Sequence, residues 1–387
     1  MRTPLHRGWL ALALLLAAAP AQSAPLQPAH DDEVVETLPA AAGPAAEQRR
    51  LRRTLAQSPR DVQAALVLSR SLLTRSQVSG DARLAGQALG VLQPWEGDAN
   101  APVDVRLQRA TLLQHLHDFE AAGAELESLL KRAPQQAQAW LTLATVRRVQ
   151  GRYAESDAAC ARLVDAGQPL LARACGAENR SLRGAQDEAR REFEALLRLR
   201  PADTAWAGWL RTSLGELELR AGRPAVAIGH LRTALSFDDD AYARHALADA
   251  LIEARRPAEV ARLLADDASD AALLRRAIAA RALGTPDAAS LRDTLGARHA
   301  QAAQRPQDVP VHARERARFA LDVEGDAAQA VALARANLRT QREAADFVVM
   351  HRAAQAAGDA AAQAEVQALA ARVGLSDTRL AAAGERS

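Results

Sequence analysis

The feature that most constrains the fold of this chain is an internal period. A short turn signature followed by an Ala-rich stretch returns along the sequence, at Gly151, Gly184, Gly222, Gly325 and Gly358, and without the glycine at His117 and Arg255. The step from His117 to Gly151 is 34 residues, and the step from Gly151 to Gly184 is 33. A fixed period of this length indicates stacked copies of one supersecondary unit.

Each unit is predicted to be a pair of antiparallel helices. Glycine adopts left-handed backbone angles without a steric penalty, so it can end one helix and let the next begin at once. Aromatic residues make up only 3% of the chain, and helix-forming residues such as Ala, Leu, Arg and Glu dominate it. The fold class is therefore predicted to be all-α.

One unit carries most of a known repeat pattern. Its key residues are Ala139, Trp140, Leu143, Ala144, Gly151, Tyr153, Ser156 and Pro169. The Leu214-Gly215 pair, Pro134 and Pro201 fit the same pattern in neighbouring units. These units resemble tetratricopeptide (TPR) repeats. The resemblance covers residues 46 to 373 in about eight repeats, and implies a right-handed superhelical solenoid of antiparallel helix pairs.

The resemblance divides the chain into segments. We expect a TPR-like solenoid over 47–300, a proline-containing hinge over 301–310 with Pro306 and Pro310, and two further repeats over 311–374. Residues 375–387 are predicted to be a flexible tail. The segment from Leu51 to Ala56 is predicted to be a lone second helix that caps the first repeat.

The N-terminus has the pattern of a secretory signal. Basic residues at Arg2 and Arg7 precede an apolar run from Leu10 to Ala19 and a small-residue exit. The run is shorter than the roughly 20 residues that span a bilayer. We therefore expect a signal peptide over 1–23, a flexible leader over 24–46, and a periplasmic or secreted protein without an integral membrane segment.

The charge balance argues against nucleic-acid binding. The chain has 49 Lys+Arg and 47 Asp+Glu residues, a net charge of +2. Two of the arginines lie in the predicted signal peptide, which has no acidic residue, so the rest balances at 47 against 47. A neutral chain gives no sequence-wide reason to bind a polyanion.

The only two cysteines, Cys160 and Cys175, lie at equal distances from the predicted turn at Gly167-Gln168. In an antiparallel helix hairpin, such residues stand at equal height, which favours a disulfide in an oxidising compartment. Buried free thiols are the alternative. Redox chemistry is a third reading, although the pair lacks C-x-x-C spacing.

No local motif predicts an enzyme or a cofactor. The G-x-S-x-G, H-E-x-x-H and phosphate-loop patterns are absent from the sequence. His115 and His117 are the one local hint of a metal site, but residues two apart do not share a helix face. Acidic runs such as Asp238-Asp239-Asp240 are predicted to cap helices.

The resemblance also implies a binding surface, because in TPR proteins the first helix of each repeat lines the concave groove. Matching the repeats places these residues there: Asp104, Leu107, Thr111, Gln138, Leu141, Thr145, Arg148, Ala174, Glu178, Trp209, Thr212 and Glu216. Leu, Thr, Ala and Glu stand where a carboxylate clamp would have Lys and Asn. The surface therefore predicts recognition of an extended peptide, with Trp209 as the strongest contact or, alternatively, packed with Trp206 inside the solenoid.

The functional prediction is a non-enzymatic scaffold or adaptor in the bacterial cell envelope that binds a partner protein or an extended peptide through its concave face. One alternative is a holdase-like periplasmic carrier of unfolded or membrane-protein clients. Another is a metal-handling accessory protein that uses His115 and His117.

Overall fold

The computed structural model describes residues 30, 43–200, 202–304 and 312–381. The predicted signal peptide, nearly all of the predicted leader, the hinge prolines Pro306 and Pro310 and the last six residues lie outside the described residues. Two compact units are distinguished, 1–49 and 50–387. The description below concerns the second unit, apart from the start of helix α1.

The described residues form 19 α-helices and no strand, which confirms the all-α prediction. In chain order the helices are α1 (Pro44–Gln57), α2 (Val62–Ser79), α3 (Ala82–Val91), α4 (Val103–His115), α5 (Phe119–Arg132), α6 (Ala137–Val149), α7 (Tyr153–Asp165), α8 (Pro169–Leu182), α9 (Gln186–Leu199), α10 (Thr204–Arg220), α11 (Pro224–Leu235), α12 (Ala241–Glu253), α13 (Pro257–Leu263), α14 (Asp270–Leu283), α15 (Ala288–Ala303), α16 (Ala313–Phe319), α17 (Ala327–Asn337), α18 (Ala344–Ala356) and α19 (Ala360–Val373). A π-helical turn, Ala320–Glu324, extends α16.

Helix α1 stands alone, and within the described ranges the other helices form nine antiparallel pairs, one more than the eight repeats counted in the sequence. We number the pairs as repeats 1 to 9, from α2–α3 to α18–α19. None of these helices is both long enough and apolar enough to span a membrane.

The turn inside each repeat has one residue with a positive φ angle. In seven repeats it is a glycine, from Gly80 in repeat 1 to Gly358 in repeat 9. In the other two it is His117, with φ 64°, and Arg255, with φ 56°. These are the two signature copies without glycine, so the turn keeps its left-handed backbone even where a side chain makes that conformation cost roughly 1–2 kcal/mol.

An aspartate often follows the turn because it caps the second helix. The side chain of Asp118 accepts a hydrogen bond from the Ala121 amide, and Asp359 accepts one from the Ala362 amide. Such caps satisfy amides at the start of a helix that have no partner within it. The acidic residues of the signature therefore serve helix initiation.

The first helices of the repeats form the inner layer. Each of them contacts the first helix of the next repeat, whereas second helices of neighbouring repeats approach each other less closely. Because a curved stack brings elements together on its concave side, the first helices lie on the inside of the curve. We call their solvent-facing surface the inner face.

Repeats six apart along the chain come into contact. The turn of repeat 1 meets the start of repeat 7, with 3.6 Å between an ideal Cβ on Gly80 and the Ser269 Cβ. His117, in the turn of repeat 2, lies beside His312 at the start of repeat 8, with ring centroids 5.8 Å apart. The superhelix therefore completes a turn in about six repeats, and successive turns touch.

The contact between turns continues along a line that we call the seam, formed by the ends of α6, α8 and α10 on one side and residues 342–378 on the other. The Arg342 amide donates to the Val149 carbonyl (2.7 Å), and the Ser376 amide donates to the Leu182 carbonyl (2.8 Å). The Thr378 hydroxyl donates to the Arg220 carbonyl (2.9 Å). All three acceptors are the last residues of inner helices, whose terminal carbonyls have no partner within the helix.

The prediction of a flexible tail from residue 375 is wrong for residues 375–381. Leu375 and Leu380 are buried in the same apolar cluster as Tyr153, Leu182 and Phe347. The physical reason is the contact between repeats that are six apart, which we call the six-repeat register. It places this segment over the turns of repeats 4 and 5. Residues 382–387 lie outside the described residues.

Candidate functional site

The residues predicted to face the groove lie on the inner helices α4, α6, α8 and α10, with different degrees of exposure. Asp104, Gln138 and Trp209 are exposed, whereas Ala174 and Thr212 are buried. The remaining members are half-buried: Leu107, Thr111, Leu141, Thr145, Arg148, Glu178 and Glu216. Ala174 and Thr212 therefore pack into the solenoid and are not available to a partner, which corrects their assignment to the binding surface.

The predicted hydroxyl contacts are also weaker than the sequence indicated. The hydroxyls of Thr111, Thr145 and Thr212 each donate to the carbonyl four residues earlier, at Leu107, Leu141 and Gly208. This local bond is common for threonine inside a helix, and it occupies the hydroxyl proton. The Thr145 oxygen also accepts a hydrogen bond from Arg148 Nη2 (3.3 Å), so it has little left to offer a partner.

The two tryptophans of α10 have different surroundings. Trp206 is 6% exposed and its indole N–H donates to the Leu196 carbonyl, so it packs in the solenoid. Trp209 is 37% exposed and rests edge-on against Trp206, with ring centroids 5.5 Å apart. From the sequence, Trp209 could either contact a partner or pack with Trp206 inside the solenoid. In the structure Trp206 is packed, whereas Trp209 has accessible aromatic surface.

A group of polar side chains comes together on the inner face, toward the ends of α6, α8 and α10. We call it the inner-face cluster, and its members are Arg148, Tyr153, Glu178, Glu216, Arg220, Tyr242 and Glu343. Six of them belong to repeats 3 to 6, whereas Glu343 caps the start of α18 in repeat 9. The six-repeat register thus adds a residue from the second superhelical turn to a surface built by the first.

Some members of the inner-face cluster pair with one another. The Arg220 guanidinium donates to Glu178 over 3.2 Å between Nη2 and Oε1, and also to the Ser181 hydroxyl. The Tyr242 hydroxyl donates to Glu216. These bonds fix the direction of both glutamates.

Glu343 is held from the other side. It accepts hydrogen bonds from Arg314 (2.7 Å) and Gln341 (2.8 Å), and its backbone amide donates to Asp346. Arg314 also lies 3.4 Å from the Asp346 carboxylate. Glu343 is therefore a fixed charge beside the inner face.

Other polar atoms of the cluster have no protein partner. They are Arg148 Nη1, the Tyr153 hydroxyl, Glu178 Oε2 and Arg220 Nε. Tyr153 is 4% exposed and Arg220 is 5% exposed, so both are almost completely buried. A buried polar group without a hydrogen bond costs about 1–3 kcal/mol. The four atoms lie beneath the accessible surface of the cluster.

Burial and like charge change the acidity of the cluster. Desolvation, and then the neighbouring charge of Glu178, raise the pKa of Glu216 to about 7. Desolvation also raises the pKa of Tyr153 to about 12, against the opposing effect of Arg220 and Arg148. Groups with strongly shifted pKa values concentrate at functional sites, although ion-pair networks also produce them.

Sequence reasoning identified Arg148, Glu178 and Glu216 but missed the other members of the cluster. Arg220 lies one helical turn beyond Glu216, so a longer inner stripe on α10 would have included it. Tyr153 was assigned only to the repeat pattern. Glu343 gave no local signal, because its position beside Glu216 depends on the register between superhelical turns.

A disulfide joins repeats 3 and 4, which carry Arg148, Tyr153 and Glu178 of the inner-face cluster. Cys160 on α7 and Cys175 on α8 are bonded, with 5.6 Å between their Cα atoms. Asn179 lies next to this pair and donates to Ser156 (2.9 Å) and Asp157 (2.8 Å). The disulfide therefore fixes α7, which begins with Tyr153, against α8, which carries Glu178.

The histidines considered for metal binding have other neighbours. His115 Nε2 lies 3.3 Å from the Ser76 hydroxyl, and the His117 ring stacks on Phe119 at 5.5 Å. In the described ranges, no group of three or more His, Cys, Asp or Glu residues is arranged to hold a metal ion.

The helix pairs, their period and their turn geometry define a TPR-like helical repeat protein. No protein-family model matches the chain, and no curated protein does.

Solved structures with a similar course include a tetratricopeptide repeat protein from Parabacteroides merdae, with 17% identity, coverage of 65% of this chain and 90% of that chain, and a TM-score of 0.45. Another is pilF of Pseudomonas aeruginosa, with 17% identity, coverage of 51% and 92%, and a TM-score of 0.37. A third is the Rap protein complexed with competence and sporulation factor, with 12% identity, coverage of 85% and 92%, and a TM-score of 0.49.

Proposed function

We propose that this chain is a non-enzymatic scaffold that binds an extended segment of a partner protein along its inner face. The observation that carries the proposal is the accessible surface of the inner helices, where Trp209 and Tyr242 are exposed and Arg148, Glu178 and Glu216 are half-buried. An extended peptide has unpaired amide N–H and carbonyl groups along its backbone, and these can pair with accessible polar side chains on such a surface.

Two aromatic side chains are exposed on the inner helices, Tyr242 within the inner-face cluster and Trp209 two turns before Glu216 on α10. Trp209 on α10 and Tyr242 on α12 are 37% and 60% exposed, and both lie on inner helices. Aromatic residues often dominate binding energy, because they bury a large area with few rotatable bonds. The inner face therefore combines apolar anchors with polar groups that set the orientation of a bound segment.

The proposed location is the bacterial cell envelope. Two features support it, the secretory pattern of residues 1–23 and the Cys160–Cys175 disulfide, which is typical of an oxidising compartment. The proposed partner is accordingly an envelope protein.

Affinity capture tests this function. The tagged chain is crosslinked in cells of its host, purified from the envelope fraction and analysed by mass spectrometry, with a Trp209→Ala, Tyr242→Ala variant as the matched control. We expect one or two stoichiometric envelope proteins, reduced at least several-fold in the variant. Capture of a broad set of unrelated unfolded clients would support a holdase function instead of a scaffold function. Equal capture by both forms would contradict binding at the inner face.

A further inference from the structure

Two of the three carboxylates of the inner-face cluster are paired with a guanidinium group. Arg220 donates to Glu178, and Arg314 donates to Glu343. Glu216 accepts a hydrogen bond from the Tyr242 hydroxyl and has no basic partner among the described residues. Glu216 is therefore the carboxylate of the cluster that can take a cationic partner.

Two acceptors of the cluster lie beneath its accessible surface. Glu178 Oε2 and the Tyr153 hydroxyl are buried without a hydrogen bond, so a side chain of the partner does not reach them. The carboxylate of Glu216 is half-buried on the inner helix α10 and is the one that a partner can approach.

An aromatic ring stands beside the Glu216 carboxylate. Tyr242 donates its hydroxyl to Glu216, and the residue is 60% exposed on the inner face. A guanidinium or ammonium group that reaches Glu216 would therefore also approach an aromatic ring, and such cation–π contacts are favourable.

We propose that the inner-face cluster binds the cationic group of an arginine or lysine side chain in the partner segment, with Glu216 as its carboxylate partner and Tyr242 as the adjoining ring. This inference rests on the proposed function and specifies the chemistry of the ligand. An anionic ligand fits less well, because Arg220 and Arg314 are already paired with Glu178 and Glu343, and the ligand would approach the Glu216 carboxylate.

The assignment predicts a dependence on pH. Glu216 faces Glu178 on α8, Arg220 on its own helix, Tyr242 on α12 and Glu343 at the start of α18. Its pKa of about 7 in the free protein means that a proton competes with the cationic ligand below that pH. Binding should therefore weaken by about tenfold between pH 8 and pH 6, if only the ionised form accepts the ligand.

The test is a selection from a phage library of random dodecapeptides on the purified protein, on Glu216→Gln and on Glu188→Gln. Glu188 is an exposed residue of the outer helix α9 and serves as the matched control. We expect Arg or Lys at one fixed position in peptides selected by the wild-type protein and by Glu188→Gln, and loss of that preference with Glu216→Gln. Thermal midpoints of the three proteins show whether each variant is folded.

A second measurement uses a synthetic peptide from the selected pool, in which the basic residue is replaced by citrulline or, for lysine, by norleucine. The replacement and Glu216→Gln should each weaken binding by about tenfold or more, and together by little more than either alone, because they remove the same ion pair.

The outcomes separate this inference from the proposed function. Selected peptides without a fixed basic residue, or binding unaffected by removal of the charge, would overturn the cation assignment and leave peptide binding intact. Failure to select any peptide above the level of the empty matrix would overturn both.

Discussion

The seam and the inner-face cluster lie toward the same ends of α6, α8 and α10. The polar groups of the seam are hydrogen-bonded, whereas several polar atoms of the cluster are not. In the seam, the terminal carbonyls of Val149, Leu182 and Arg220 each accept a hydrogen bond from the second superhelical turn. In the cluster, side-chain atoms of Arg148, Tyr153, Glu178 and Arg220 find no protein partner. Arg220 belongs to both regions, through its backbone and its side chain.

The seam is therefore completed by folding, whereas the cluster lies on the surface that we propose for partner binding. A satisfied, apolar seam stabilises the superhelix, and changes there should reduce stability. An incompletely bonded cluster contributes little to stability, and changes there should reduce binding. The substitutions below separate the two regions, beginning with the largest expected effect.

The core beneath the seam gives the largest effect. Phe347 is fully buried in the cluster that joins Tyr153 and Leu182 to the C-terminal repeats. Phe347→Ala should lower the free energy of unfolding by about 3–5 kcal/mol, as large-to-small changes in cores do. The matched control, Phe237→Ala, removes a phenylalanine that is 40% exposed and should cost much less. Equal shifts of the chemical-denaturation midpoint for the two variants would contradict the claim that Phe347 belongs to a hydrophobic core beneath the seam.

The disulfide comes next, because it fixes the two repeats that carry Tyr153 and Glu178. Replacing Cys160 and Cys175 together by alanine should lower the free energy of unfolding by about 3 kcal/mol for a loop of 15 residues. Denaturation of the wild-type protein with and without reductant provides the comparison. An unchanged midpoint in reductant would show that the bond makes no contribution.

Two glycines with the same backbone conformation isolate the seam contact itself. Gly151 and Gly358 have φ angles of 72° and 63°, so alanine at either position costs about 1 kcal/mol through the backbone. Only at Gly151 would the added Cβ crowd the second turn, at 3.2 Å from Val373 and 3.3 Å from Arg342. Gly151→Ala should cost about 1 kcal/mol more than Gly358→Ala. Indistinguishable thermal midpoints would mean that the turns do not touch there.

The smallest effect is the titration of the cluster. Because folding raises the pKa of Glu216 from 4.5 to about 7, the folded protein holds the proton more tightly than the unfolded chain. Its contribution to stability is therefore fully present below about pH 4.5 and is lost as the pH rises through 7. Glu216→Gln should make this decline shallower, although not abolish it, since burial also raises the pKa of Asp346 to about 7.

Denaturation midpoints from pH 4.5 to 8 measure that difference, with Glu188→Gln as the control. A parallel pH profile for wild type and Glu216→Gln would show that Glu216 does not titrate in this range.

The local parts of this architecture could be predicted from the sequence. The period located the turns, including His117 and Arg255, because each turn is specified by residues next to it. The equal distances of Cys160 and Cys175 from their turn predicted a pairing that the structure contains. These features depend on one or two adjacent repeats.

The long-range parts could not be predicted. The six-repeat register results from a small rotation at each repeat, which no single motif specifies and which accumulates along the chain. Glu343 and residues 375–381 owe their positions to that register. Thr212 was misassigned for a local reason, since a shift of a few degrees around α10 turns an inner position into a buried one.

The central claim is that a partner binds the inner face and not the outer helices, and site-specific photocrosslinking tests it most directly. A benzophenone amino acid replaces either Trp209 on the inner helix α10 or Val226, which is 46% exposed on the outer helix α11. After illumination in host cells, we expect a discrete partner adduct from position 209 and none from position 226. An adduct at position 226 with none at position 209 would contradict it.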